Sequence, residues 1–483
     1  MVLEWKWNND DVFLDETLPS DTLDREKYAL FLYQISAARG ANSSLVVNIN
    51  AEWGAGKTYF TKRFAKSISE AHPTVYIDAW KEDFSEDPLL TIFSAIKEQL
   101  TGQSDKFTTL LNNTIENIGP LLKTATPIII EGLVNKITGI KNLTDITKNL
   151  SVQLLDMHTQ KSKKISSIKN GISKWVSFIK QKDGINKELP LFIIIDELDR
   201  CRPSFAISLL EISKHIFNIP GVVFIIATDT EQLQHSIKVI YGENFSASQY
   251  LNRFFDRRFL LPSPKMNDLI RTHTLDTISN EFELKKDIFV PFINSYDDFL
   301  CNCTSVFEAF NINLRDTLKI YDRLMDQILI LNEKFDAVLF LILSCIYTLD
   351  NDTYYKIKNN RDIKNTIEYN QEIKIHYNLS ESITKVKFFG KHGGGLASNN
   401  FSVQKITIPI KQYIIHTLNI LDAQNIITHN HSSGVKNWKN GGLMEQMIND
   451  SYLKIGWADC IESNLGISRH QYFELIELST TLE

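Results

Sequence analysis

Three short apolar runs punctuate the first half of the chain: Leu45–Asn50 (LVVNIN), Leu191–Asp196 (LFIIID) and Val222–Ala227 (VVFIIA). They are rich in β-branched residues and do not alternate, as expected of strands buried on both faces of a parallel sheet. After each of the first two, apolar residues recur at helical spacing, as in TYFTKRFAKSI from Thr58. Strand followed by helix, repeated, predicts an α/β core with helices on both faces of the sheet, hence three layers. Residues 266–350 read as mostly helical and end in Val338–Leu349 (VLFLILSCIYTL), bracketed by Asp336 and Asp350. That run is too short to cross a bilayer and suits a buried helix. Residues 351–380 are polar and rich in Asn and Lys, as in a surface connection. From about 383 to 428, alternating runs (ITKVKFF, VQKITIPI) predict strands, and the tail from Leu443 reads as helical. The expected organisation is a core from 1–99 and 186–265, a mostly helical insertion at 100–185, a helical lid at 266–350 and a mixed C-terminal domain at 351–483.

The turn after the first strand carries the clearest chemistry. Ala51 to Thr58 (AEWGAGKT) fits the relaxed phosphate-loop spacing, with Ala where the first Gly usually stands. Gly54 and Gly56 permit backbone conformations closed to residues with a Cβ. Backbone N–H groups of Glu52, Trp53, Gly54, Ala55, Gly56, Lys57, Thr58 and Tyr59 can then converge on phosphate oxygens at the positive end of the following helix. Lys57 is expected to reach the β- and γ-phosphates, and the Thr58 hydroxyl to bind Mg2+.

The second run ends in Asp196-Glu197, which supplies acids where the first supplies a cradle. Asp196 at a strand tip is placed to hold magnesium, and Glu197 to orient and deprotonate a water, with Asp199 as a rival. The third run ends in Thr228-Asp229, the place of a polar γ-phosphate sensor in ATPases with an additional strand. Arg253, Arg257 and Arg258 lie in YLNRFFDRRFLLP and could act on a neighbouring subunit's nucleotide, or simply form surface ion pairs. Arg315, in NLRDTLKIYDRL, begins a helix that could report nucleotide state to a lid.

The order of these segments resembles the KAP family of P-loop NTPases, within the additional-strand (ASCE/STAND-like) division. The matching pieces are TLDREKYA (Thr22–Ala29), NAEWGAGKT (Asn50–Thr58), YIDAWKED (Tyr76–Asp83), IDELDRCRP (Ile195–Pro203), IIATDTEQL (Ile225–Leu233), YLNRFFDRRFLLP (Tyr250–Pro262) and Leu314–Asp316. The resemblance implies ATP as the nucleotide, in agreement with the absence of an Asn-Lys-x-Asp guanine-reading motif. It also implies a regulatory or assembly ATPase, one that in bacteria is often tied to phage exclusion. A homo-oligomer and a partner protein from the same defence operon follow from it as expectations. Many members of the family insert membrane-spanning helices between the loop and the Asp-Glu strand. Here residues 100–185 hold no apolar span of sufficient length, the best being Thr124–Val134, interrupted by Glu131.

Bulk properties narrow the setting. The 483 residues leave room for two or three domains, and 43% hydrophobic content suffices for a sizeable core. A net charge of −6 argues against coating nucleic acid indiscriminately. The N-terminus lacks a signal-peptide pattern, and five cysteines without metal-pair spacing read as reduced thiols. A cytoplasmic protein is expected. From Gln160 to Lys182, seven lysines surround Ile165, Ile168, Ile172, Trp175, Val176 and Ile179 at helical spacing. This predicts an amphipathic helix that either packs its apolar stripe on the core or docks on an anionic inner-membrane surface or nucleic acid. Gly393–Gly395 reads as a loop, and His429 with His431 is too sparse for a metal site. Two rivals to a hydrolysing switch stay open: an ATP-dependent scaffold with little hydrolysis, and a motor stimulated by nucleic acid.

Overall fold

The computed structural model describes residues 5–85, 87–116, 165–181, 186–274, 295–359, 367–377, 404–427 and 466–481, with scattered positions between 282 and 293. The expectations for Thr124–Val134, ITKVKFF, Gly393–Gly395 and the His429–His431 pair lie outside the described residues. The chain divides into two compact units, Met1–Ser263 and Pro264–Glu483.

The first unit opens with a hairpin, β1 (Asp11–Phe13) and β2 (Glu16–Leu18). Its two-residue turn, Leu14-Asp15, has both φ angles positive, which matches the twist of the flanking strands. Five parallel strands follow: β3 (Leu45–Asn50), β4 (Thr74–Asp78), β5 (Leu191–Asp196), β6 (Val222–Thr228) and β7 (Arg257–Leu260), in the order β4-β5-β6-β3-β7. β6 therefore lies between the strand leading into the phosphate loop and the strand ending in Asp196, which is the additional-strand arrangement. Every residue of β5 and β6 is buried, and helices cover both faces. Glu26–Gly40 and Lys57–Ser69 lie on one side, while Pro88–Leu100 and Pro203–His215 lie on the other. Phe64 of the helix after the phosphate loop packs edge-on against Phe192 of β5. Ile193, Ile195, Phe224 and Ile226 join the core of the opposite face.

Both edges of this sheet end differently. On β4, the Gln99 side chain accepts from the Tyr76 N–H at 2.9 Å and donates to the Tyr76 carbonyl at 2.7 Å. A side-chain amide thus takes the place of a neighbouring strand, one way of closing an edge. At the other edge β7 leaves Arg257, Arg258 and Leu260 exposed. The N-terminal segment is fastened by Arg63, almost fully buried, which donates to the carbonyls of Trp7 at 3.1 Å and Pro19 at 2.7 Å.

The basic helix, residues 165–181, spends its apolar stripe on the core. Ile168, Ile172, Trp175, Val176 and Ile179 are all buried in the same cluster as the sheet face. Trp175 packs edge-on against Phe93, and its indole N–H donates to the Thr114 hydroxyl at 3.1 Å. Gly171 is needed where that helix meets residues 105–116, because a Cβ there would come within 2.2 Å of the Thr114 methyl. Among the described residues no helix is long and apolar enough to cross a membrane.

The second unit is built around the helix Ala337–Leu349, buried from Ala337 through Ile346. Residues of both segments expected to be separate, Phe299 to Ile346 and Ile373 to Ile476, belong to one hydrophobic cluster. The polar stretch after residue 350 is not a bare connection: it forms the helix Asn351–Lys358 and then β8 (Glu372–Tyr377), and it buries Ile357, Ile367, Ile373 and Ile375. β8 pairs antiparallel with β9 (Gln404–Pro409). The expected strand run stops at Pro409, after which Ile410–Ile427 is a helix. Its buried Ile410, Tyr413, Ile414, Leu418 and Leu421 recur at three- and four-residue steps, a helical period rather than a strand's.

Asp336 caps the central helix from a fully buried position. One carboxylate oxygen accepts from Leu339 N–H at 2.9 Å and the other from the Tyr413 hydroxyl at 2.8 Å. Burial nevertheless pushes its carboxyl up to about 7 from an ordinary 3.8. The folded state therefore holds this proton more tightly than the unfolded chain. Its contribution to stability is fully present below pH 3.8 and is lost as pH rises through about 7. Asp336→Asn should remove that loss, so its thermal midpoint should vary less than wild type's between pH 4.5 and pH 8. Equal slopes for both proteins in a melting series would contradict this assignment.

Candidate functional site

β3 delivers the chain to the phosphate loop at the C-terminal edge of the sheet. Gly54 and Gly56 both have positive φ, 85° and 80°, and a Cβ on Gly56 would find no atom within 4 Å. Ala51 takes no such φ, so its methyl is tolerated where the usual pattern has Gly. Lys57, nearly buried, folds back on the loop: its ammonium donates to the carbonyls of Ala51 at 2.6 Å and Glu52 at 3.4 Å. Trp53, half exposed at the crest, donates its indole N–H to Asp199 at 2.6 Å. Tyr59 points away from the loop and donates to the Pro19 carbonyl at 2.9 Å.

β5 brings its acidic tip onto the first turn of the next helix. The Thr58 hydroxyl donates to Glu197 Oε1 at 2.7 Å. One turn on, Thr61 donates to Asp196 Oδ2 at 2.9 Å, and the Tyr76 hydroxyl reaches the same oxygen at 3.0 Å. Asp196 Oδ1 accepts the Glu197 N–H at 2.9 Å. Despite these donors, burial and then the Glu197 charge raise the Asp196 carboxyl to about 6. Glu197 itself has φ 58° and ψ 28°. Such a left-handed conformation in a side-chain-bearing residue costs roughly 1–3 kcal/mol and is typical of functional turns. Its second oxygen, Oε2, meets Arg200 Nε at 2.5 Å.

The remaining expected residues are placed less uniformly. Thr228 is buried at the end of β6, in register with Asn50 of β3. Asp229 is occupied in capping the helix Thr230–Tyr241, accepting from Glu231 N–H at 3.0 Å and Gln232 N–H at 3.4 Å. Arg253, Arg257 and Arg258 are exposed. Arg257 is in register with Val47 and Arg258 with Asn48, three and two residues short of the sheet edge that carries the loop. That register sets Arg257 and Arg258 back from the phosphate loop of their own chain. Arg315 is exposed in the first turn of Leu314–Ile330, in the second unit.

Four contributors escaped the sequence reading. Thr61 lies one turn beyond Lys57 and Thr58, so helical spacing could have found it. Asn50 accepts from both the N–H and the hydroxyl of Thr230 at 2.9 and 2.8 Å, tying β3 to the helix after β6. Tyr76 acts from β4; it opens the YIDAWKED piece, but nothing in that piece announces its reach to Asp196. Arg25 is 3% exposed and donates to the Ala55 carbonyl of the loop at 3.0 Å, with its other terminal nitrogen unpartnered; desolvation lowers its pKa.

These groups fit a triphosphate with a divalent cation. The loop faces open space at Gly56, among the described residues the buried Lys57 ammonium donates to carbonyls alone, and two hydroxyls and two carboxyl groups meet beside it. The family model for the KAP family P-loop domain matches residues 25–335. The chain belongs to the KAP family. A KAP P-loop domain is a nucleotide-binding NTPase module, and this match begins at Arg25, the residue that hydrogen-bonds the loop. Two solved structures of the Aeropyrum pernix ORC2 protein, as ADPNP–ADP complexes and in the ADP form, are similar at 13% identity. The alignments cover 95% of this chain and 85% and 84% of those chains, with TM-scores of 0.31 and 0.26. No curated protein matches the KAP chain.

Arg25 props the loop from beneath without belonging to its motif. Arg25→Ala should weaken ATP binding about tenfold, roughly 1.4 kcal/mol, by releasing the Ala55 carbonyl. Calorimetry would measure this, and an unchanged dissociation constant would make the bond incidental.

Proposed function

We propose that the protein binds ATP with Mg2+ and hydrolyses it to switch conformation or assembly. The observation that carries this reading is the meeting of Thr58 and Thr61 with Glu197 and Asp196 at the mouth of the loop. Lys57 would leave the Ala51 carbonyl for the β- and γ-phosphates, exchanging a neutral acceptor for an anionic one. Thr58 and Asp196 would hold the magnesium. When bound, that ion neutralises charge on the phosphate oxygens. Glu197 would orient the attacking water and take its proton. Thr228, buried at the end of β6, would act as the sensor. Asp229 shares that position but is already engaged in capping.

The exposure of Arg253, Arg257 and Arg258 supports a role toward a second copy rather than toward their own site, so a homo-oligomer belongs to this proposal. Arg315 would report nucleotide state within the second unit. An anti-phage setting, with a partner from the same operon, is supported by family association alone.

Lys57→Ala should abolish ATP binding, while Glu197→Gln should keep binding and lower turnover by two orders of magnitude or more, the scale of losing a general base. A phosphate-release assay and calorimetry on both variants decide it. Wild-type protein that binds ATP yet turns over no faster than Glu197→Gln would favour a scaffold. Many-fold stimulation by DNA or RNA would favour a motor.

A further inference from the structure

The helix Pro203–His215 is buried without a break from Phe205 to Ser213, and one of those residues is an acid. Glu211 is 2% exposed. Its Oε1 accepts the Tyr250 hydroxyl at 3.1 Å, and among the described residues Oε2 meets no partner. Burial pushes this carboxyl up to about 7. An acid so placed costs stability that an apolar side chain of similar size would not. What it secures in return is the seat of Tyr250, whose ring also packs against Tyr241 and Phe254. One turn along the same helix, Lys214 pairs with Asp256. Asp256 is joined to β3 as well: its Oδ2 accepts the Val46 N–H at 2.9 Å, and its own N–H donates to the Val46 carbonyl at 2.8 Å. That double contact immediately precedes Arg257 and sets the register of Arg257 and Arg258 along β3. Arg253 lies between the two anchors, with its N–H donating to the Tyr250 carbonyl at 3.0 Å. One buried helix thus grips both ends of the segment that carries the three exposed arginines.

We propose that Glu211 is a positioning residue: through Tyr250 it seats the segment Tyr250–Arg258, so that the arginines are presented in a fixed geometry to the nucleotide of a second copy. This rests on the role given above to those arginines. A guanidinium on a long side chain is useful to a distant phosphate only if its backbone is held still. Here the backbone is held by two side chains of a helix that has no freedom of its own. The same helix opens at Pro203, just after the acidic turn of Glu197. The acids that serve a chain's own site and the arginines it offers to a neighbour are therefore carried at the two ends of one rigid element.

The test is phosphate release by the full chain over a range of protein concentrations, with calorimetry of ATP and Mg2+ beside it. Wild-type turnover per chain should rise with concentration as copies meet. Tyr250→Phe and Glu211→Leu should each lower the plateau about tenfold, short of the roughly hundredfold that a 1 Å misplacement can cost. Their ATP dissociation constants should stay within about twofold, a loss of turnover without a loss of binding that also reports folded protein. Glu211→Gln keeps an acceptor for the tyrosine and should hold turnover near wild type. Glu197→Gln chains bind ATP without turning it over and keep their arginines seated. Added in excess, they should restore turnover to Tyr250→Phe chains, whereas Glu197→Gln chains that also carry Tyr250→Phe should not. Unchanged turnover in Tyr250→Phe, a parallel loss of ATP binding, or the same result with both donors would overturn the role of Glu211. Wild-type turnover that ignores protein concentration, and survives removal of all three arginines, would instead overturn the arginines' role toward a second copy.

Discussion

The first turn of the helix after the phosphate loop is pinned to the tip of β5 by two short side-chain hydrogen bonds, Thr61 to Asp196 and Thr58 to Glu197. An ionised carboxylate as deeply buried as Asp196 is tolerable only when its lone pairs are met. Thr61, Tyr76 and the Glu197 N–H supply those partners from three separate elements. The requirement fixes how the helix Lys57–Ser69, β4 and β5 sit against one another at the sheet's C-terminal edge. The loop, its lysine and its acids then fall into place around that point. Substitution of any one donor would be felt by the other two, because all three converge on one group.

Much of this was legible in the sequence, for identifiable reasons. Short apolar runs of about six residues rich in β-branched side chains read as strands covered on both faces, so β3, β5 and β6 declared themselves, and with them the three layers. Gly54 and Gly56 marked positive φ before any coordinate was known. What escaped was long-range. Tyr76 and Arg25 act through partners distant in the chain, Asp196 and Ala55, and nothing at positions 76 or 25 announces those partners. The arginines of β7 were read from their place in the sequence, but strand register decides where they lie, and register with Val47 and Asn48 sets them back from the loop.

The second unit shows a different limit. Its Asn- and Lys-rich background hid single isoleucines that complete the core at Ile357, Ile367, Ile373 and Ile375. A composition average reads such a stretch as surface, whereas burial depends on which few positions are apolar. The change from strand to helix after Pro409 was likewise hidden, since Ile408 and Ile410 continue the alternation of β9 for one more step before the helical period takes over. The family match runs to residue 335, so the KAP domain extends past Ser263, where the first compact unit ends, and draws on helices of the second.

The close fit of Gly171 against Thr114 has a consequence for how such a chain can vary. Residues 105–116 and 165–181 are two stems brought together at their junction, with Trp175 reaching across to Thr114 and Phe178 stacked on Phe107. Whatever chain joins them departs and returns through neighbouring points. Lengthening it costs little, because the free energy of closing a loop grows only with the logarithm of its length. The stems therefore act as a socket. A change in the length of the chain that joins them therefore need not disturb the five-stranded sheet.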